Sequence, residues 1–249
     1  MRKLRQFYDI KDPVCLWLHE GIAFAGWYEG VQEMRAIKPR EVVIPAGKAR
    51  LKAFWGLPSS MRGVVVFAHG SGSGRLSPRN YFVAQVLQYT GVATLLVDLL
   101  EEFEAQDRRK VFDIDLLAER LSANAQWVQG QPETRGLPLG YFGASTGAAA
   151  ALQTAARKPQ GVAAIVSRGG RPDLAFDHLY LVQSPTLLIV GGRDEAVIPL
   201  NELAYEKLRC PKEMVIVPDA THLFEEPGAL EKVAELARDW FLKHFLPSA

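Results

Sequence analysis

Cysteine is nearly missing from this chain. Cys15 and Cys210 are the only two, and they stand far apart in no metal or redox spacing. A disulfide framework, a thiolate metal site and a dithiol motif are therefore not expected, and reduced thiols in a cytoplasmic protein are the default. An excess of one charge is absent too. With 29 Lys and Arg against 28 Asp and Glu the net charge is +1, which supplies no field to recruit nucleic acid or an anionic membrane. Nor is there an apolar run long enough to cross a bilayer. The most apolar N-terminal stretch, residues 13–28, is broken by His19 and Glu20 and preceded by Asp9 and Asp12, and no small-residue cleavage site stands out. It is too short for a span and poor as a signal peptide, so no stable membrane insertion is expected. Internal repeats and low-complexity segments are missing as well.

What is present describes a globular body. A chain of 249 residues can bury one large core. Its 48% hydrophobic and 23% charged residues argue against disorder. Residues 1–40 read as an extension packed on that body. Its Trp17, Phe24, Trp27 and Tyr28 serve packing, a pocket cover or a dimer contact, and the expected state is a monomer or small homo-oligomer. Residues 41–249 read as the main domain.

Within that domain, residues 41–45 and 51–55 flank Ala46-Gly47-Lys48 as a hairpin. Buried strands follow at 63–68 and 93–98, in the run before residue 143, and at 161–167, 186–191 and 213–217. Helices are expected at 80–89, after residue 147, at 200–208 and at 229–245. Ile114, Leu117, Leu121, Ala125 and Val128 recur at helical spacing. A hairpin leading into repeated β-α units predicts an α/β fold: a mostly parallel sheet of about eight strands with helices on both faces. Ligands in such folds bind beyond the carboxyl ends of the strands.

One pentapeptide stands at such an end. Gly143-Ala144-Ser145-Thr146-Gly147 follows Leu137-Pro138-Leu139-Gly140-Tyr141-Phe142, of strand length, and precedes an alanine-rich helix former. G-x-S-x-G between strand and helix is a nucleophile elbow, whose sharp turn exposes a serine hydroxyl above the sheet. The rival reading of Ser145 is a plain helix cap.

Two later strands end in loops that can complete a catalytic set. Asp194 follows one of them, 49 residues after Ser145, and His222 follows the next, 28 residues later. The order Ser, Asp, His is that of α/β-hydrolases. His222 would act as general base and acid toward Ser145, and Asp194 would fix the imidazole tautomer. Asp219 is a fallback acid, and His19, His69, His178 and His244 compete with His222. Two backbone donors must meet the oxyanion, each worth roughly 3 kcal/mol. The Thr146 amide is one. The Ser71 amide, in His69-Gly70-Ser71-Gly72-Ser73-Gly74, is the other. His69, Arg75 and Arg168 are candidate substrate contacts. His69 also reads as a residue ordering the glycine loop, and the arginines, together with Arg171, as braces for Asp98, Asp173 or that loop.

At these residues the sequence resembles the dienelactone hydrolase-like branch of the α/β-hydrolase family. The likeness runs through Phe67-Ala68-His69-Gly70-Ser71-Gly72-Ser73-Gly74-Arg75, Val97-Asp98-Leu99-Leu100, the elbow, Gly192-Arg193-Asp194 and Ala220-Thr221-His222. It covers about residues 41 to 245. It implies a small α/β-hydrolase without a large cap domain. Similar sequences also occur fused to a phosphoribosyltransferase-like domain, and none is expected here. The dienelactone-cleaving members use cysteine where this chain has Ser145, so the resemblance implies hydrolysis of small to medium carboxylic esters rather than of dienelactone. No cofactor is expected, and the partner is a small-molecule ester.

Competing readings keep the fold and change the function. Thioester or amide cleavage, acyl transfer and dienelactone-type hydrolysis use the same machinery. A nucleotide-binding protein would use Gly70–Gly74 and Asp98, but G-x-G-x-x-G needs glycine where Arg75 stands, and no P-loop lysine appears. A non-catalytic binding module would not need an intact Ser, Asp and His.

Overall fold

The computed structural model describes residues 37–158 and 161–245. Most of the expected extension, with its four aromatic residues, lies outside the described residues. Strands β1 (Arg40–Ala46) and β2 (Ala49–Gly56) form the expected hairpin. Ala46 pairs with Ala49, which leaves a two-residue turn, and Gly47 takes the left-handed conformation at φ +62 that the turn requires.

Six further strands follow: β3 (Gly63–Ala68), β4 (Val92–Val97), β5 (Leu139–Ala144), β6 (Ala164–Arg168), β7 (Thr186–Gly191) and β8 (Lys212–Val217). The sheet order is β1-β2-β4-β3-β5-β6-β7-β8, antiparallel from β1 to β4 and parallel from β4 to β8. Every residue of β3 to β7 is buried. Strands of that kind need cover on both faces.

Among the described residues, five α-helices of ten residues or more supply the cover: α1 (Pro78–Tyr89), α2 (Ile114–Gly130), α3 (Thr146–Arg157), α4 (Ile198–Lys207) and α5 (Ala229–Phe245). One core joins the sheet to α2, α3, α4 and a 3-10 segment, Pro172–Leu181. In α2 the residues expected from spacing, Ile114, Leu117, Leu121, Ala125 and Val128, all lie in it. The opposite core joins the sheet to α1 and α5 through Val83, Leu87, Val233, Ala237 and Phe241. Truncating a fully buried residue such as Phe241 to alanine costs about 3–5 kcal/mol. Beyond Pro172–Leu181, the 169–185 connection holds no further helix or strand, and no large cap is evident among the described residues.

Two boundaries differ from the sequence expectation for local reasons. Helix α1 starts before Asn80, because the Ser77 hydroxyl accepts the Asn80 N–H and Pro78 fits the first helical position. Strand β6 starts after Gly161, whose φ of +123 no strand adopts. No helix among the described residues is long and apolar enough to cross a membrane.

The chain order creates the site. From β3 at the sheet centre the chain steps one way to β4 and then jumps back to β5 on the other side of β3. The loops leaving β3 and β5 therefore part at one switch point and leave a crevice at their carboxyl ends.

Candidate active site

Strand β5 ends in a forced turn. Ser145 has φ 50 and ψ −121, a conformation rare for a residue with a side chain and costing on the order of 1–3 kcal/mol. The turn is possible because its flanks are bare. A Cβ on Gly147 would lie 2.1 Å from the Ala68 carbonyl oxygen, and one on Gly143 would lie 2.5 Å from the Ala148 Cα. Neighbouring backbone holds the bend: the Ser145 N–H donates to the Arg168 carbonyl at 3.2 Å, and the Ser145 carbonyl accepts the Arg171 N–H at 3.0 Å. The Ser145 side chain makes no capping bond to α3. The plain cap reading of this serine does not hold.

The hydroxyl faces His222 instead. Its Oγ lies 3.3 Å from His222 Nε2, and His222 Nδ1 lies 2.6 Å from Asp194 Oδ2. With Nδ1–H donating to the carboxylate, Nε2 carries the lone pair that accepts the serine proton. The loops bearing the acid and the histidine are stitched together, because Gly192 N–H donates to the Val217 carbonyl and Arg193 N–H to the Ala220 carbonyl. Asp194 is only 10% exposed in its side chain. The fallback Asp219 is 79% exposed and pairs with Arg193. Among the competing histidines, His178 lies in Pro172–Leu181 and His244 packs on Trp240. His19 lies outside the described residues.

The glycine loop closes the crevice on the other side. A Cβ on Gly70 would sit 2.9 Å from the Ser145 Cβ, so only glycine lets the loop approach the serine. Ser71 and Thr146 line one cavity of about 260 Å3 with Gly70, Leu100, Val111 and Leu117. Among the described residues neither the Ser71 nor the Thr146 amide has a backbone acceptor. For Thr146 this follows from its place in the first turn of α3.

The three candidate substrate contacts are placed differently. His69 is buried with both ring nitrogens used: Nδ1 donates to the Gly70 carbonyl at 2.9 Å, and Nε2 accepts the Leu99 N–H at 2.9 Å. Burial pushes its pKa down, which keeps this neutral tautomer. It ties the glycine loop to the end of β4 and has no ring nitrogen left for a substrate. Arg75 is likewise taken up by the protein. Its N–H and guanidinium hold Asp98 at 2.6 and 2.5 Å, and its Nη2 reaches Glu41 at 3.2 Å. Of the two readings that each residue carried in the sequence, these contacts support the bracing one: His69 orders the glycine loop and Arg75 braces Asp98, with Arg75 Nε left without a partner among the described residues. Arg168 is buried beside Ser145 and carries no carboxylate partner among the described residues.

Sequence reasoning missed the framework under the cavity. Glu104 and Arg120 form a buried two-point pair, Arg120 Nη1 also donates to the Leu99 carbonyl, and Lys110 adds a third contact. No local pattern announces it, since the partners are 16 residues apart on different elements. The backbone grip of Arg168 and Arg171 on Ser145 was equally invisible, because any residue type can supply it.

These features coincide with what the chain is similar to. A family model for the alpha/beta hydrolase domain matches residues 61–237. The chain belongs to the α/β-hydrolase family. Within it the chain falls in the dienelactone hydrolase-like branch: a dienelactone hydrolase from Anabaena variabilis is 52% identical, with a TM-score of 0.80 over 83% of this chain and 99% of that one. Est1E from Butyrivibrio proteoclasticus, at 16% identity and TM-score 0.71 over 82% of this chain and 98% of its own, shares the fold. A Mycobacterium tuberculosis protein provisionally named a phosphoribosyl transferase is 52% identical over 226 residues, which are 91% of this chain and 51% of that protein. The chain thus spans about half the length of the curated relatives it matches.

Proposed function

We propose that this protein hydrolyses carboxylic esters of small to medium acyl chains through an acyl-enzyme on Ser145. The observation that carries the proposal is the hydrogen-bonded line from Ser145 through His222 to Asp194. In this reading Ser145 Oγ attacks the ester carbonyl as His222 Nε2 takes its proton. The imidazolium is stabilised by Asp194 and returns that proton to the departing alkoxide. Water then enters, activated by the same nitrogen, and releases the acid. The Ser71 and Thr146 amides would hold the oxyanion in both halves. The 3.3 Å serine–histidine distance is long for a proton transfer and would shorten once substrate is bound.

Chain length follows from space. A cavity of about 260 Å3 lies below the usual range of roughly 300–1,000 Å3 for drug-sized ligands, which favours short acyl groups. The same machinery would cleave thioesters, and a cytoplasmic location belongs to the same proposal. A different reading is nucleotide binding at the glycine loop, which follows β3. Against it, Asp98, the acid that would meet a ribose, is bonded to Arg75. A fluorophosphonate should label the protein once, at Ser145, and 4-nitrophenyl butyrate should turn over. Ser145→Ala should abolish both, and Asp194→Asn should lower kcat by up to about 10^4-fold. Labelling that survives Ser145→Ala, or no turnover of acetate, butyrate and hexanoate esters, would refute the proposal.

A further inference from the structure

Asn201 is fully buried in the first turn of α4, and only half of its amide is answered. Its Nδ2 donates to two carbonyls, Gly170 at 3.0 Å and Val197 at 2.9 Å. Its Oδ1 is buried with no partner among the described residues. An amide oxygen left unanswered in the interior costs stability, and an apolar side chain of similar size would avoid that cost. The Val197 carbonyl gains little from this side chain, because it already accepts the Asn201 N–H at 3.1 Å within the helix. The bond to Gly170 is different. It ties α4 to a loop 31 residues earlier in the chain.

That loop holds the nucleophile. The Gly170 carbonyl and the Arg171 N–H belong to one peptide group, and the Arg171 N–H donates to the Ser145 carbonyl at 3.0 Å. A trans peptide is planar, with its C=O and N–H pointing opposite ways. Aiming the carbonyl at Asn201 therefore aims the N–H at Ser145. The loop is packed closely here: a Cβ on Gly170 would lie 2.0 Å from Ser167 Oγ and 2.7 Å from the Ala148 Cβ. The Ala148 N–H also reaches the Ser145 carbonyl, at 3.0 Å. That bond moves with α3 and the elbow, so it cannot fix them against the acid. The line from Asn201 can. The Asp194 carbonyl accepts the N–H groups of Val197 and Ile198 at 2.9 and 3.1 Å, which starts the turn that carries Asn201.

We infer that Asn201 is a positioning residue that sets Ser145 in register with Asp194 through the Gly170–Arg171 peptide. The inference goes beyond the ester-hydrolase reading and rests on it for the role of Ser145. At φ 50 and ψ −121 the serine is held in a conformation that its neighbours must impose. Releasing its carbonyl lets the elbow relax and carries Oγ away from His222 Nε2. The bond between His222 and Asp194 does not pass through this peptide and stays in place.

Two variants without the donor test this. Asn201→Leu keeps the side-chain volume, and Asn201→Ala loses it as well. With 4-nitrophenyl butyrate both should lose about tenfold or more in kcat per folded molecule, while KM stays within about threefold. Fluorophosphonate labelling of Ser145 should slow in both. A packing role gives another pattern, in which Asn201→Leu works like the wild type and only Asn201→Ala is impaired; that result overturns the inference. Failure of both variants to fold assigns Asn201 to the stability of the fold and overturns it too. If the wild type neither turns over an ester nor takes the label, the hydrolase reading has failed by itself. Amide hydrogen exchange followed by NMR then judges Asn201 separately. The Arg171 N–H should exchange faster in Asn201→Leu than in the wild type while the amides of β3 keep their protection, and equal protection of Arg171 in the two proteins overturns the inference.

Discussion

Among the described residues two arginines are buried near the carboxyl end of this sheet, one on each face, and they are treated in opposite ways. Arg120, on α2, meets Glu104 through two bonds of 2.5 and 2.8 Å and donates to the Leu99 carbonyl. Arg168, at the end of β6, meets an amide oxygen at 3.4 Å and an aromatic ring. The first has every charge answered within the protein. Its hydrogen bonds fix the loop that carries Leu99 and Leu100, and through Leu99 the histidine that ties down the glycine loop. The second has no answer inside the described chain. A fold selected only for stability gains nothing from such a residue.

The comparison breaks most readily on the paired side. Arg120→Ala strands Glu104 without its main partner, and urea denaturation should show a loss of about 3–5 kcal/mol. Acid should dissect the same pair more gently. The Arg120 guanidinium holds Glu104 down to about 2, against an ordinary value of 4.5. A carboxylate lowered on folding contributes stability above its unfolded pKa and loses it as pH falls through the folded one. The pair should therefore support the protein fully above pH 4.5 and give up on the order of 3 kcal/mol between about pH 4.5 and 2. Denaturation curves at stepped pH should show that slope in the wild type and a shallower one in Arg120→Met. The smallest effect is expected on the unpaired side. Arg168→Met removes a desolvated charge with no partner, so stability should stay level or rise by up to about 2 kcal/mol. A loss as large as that of Arg120→Ala would show that the two arginines are equivalent after all.

The fold was legible because its signals are local. Gly63–Ala68 is apolar throughout and Thr186–Gly191 nearly so, as strands covered on both faces must be, and the α2 stripe shows its 3.6-residue period directly. Ser145, Asp194 and His222 were legible because each follows a strand, and the parallel order sends those strand ends to one edge. For His69 and Arg75 the sequence left a bracing role and a substrate contact side by side, for the converse reason. Their partners, the Leu99 amide and the Asp98 carboxylate, come from the neighbouring strand end, 30 and 23 residues away.

The sequence by itself determined the alternation of strand and helix, the bare glycines that permit the bend at Ser145, and the three strand-end residues, because periodicity and steric need are written within a few positions. Tertiary structure alone decided which charges are answered. Whether a guanidinium meets a carboxylate depends on elements far apart in the chain arriving within about 3 Å of each other, and that distance is set by how the sheet and helices pack.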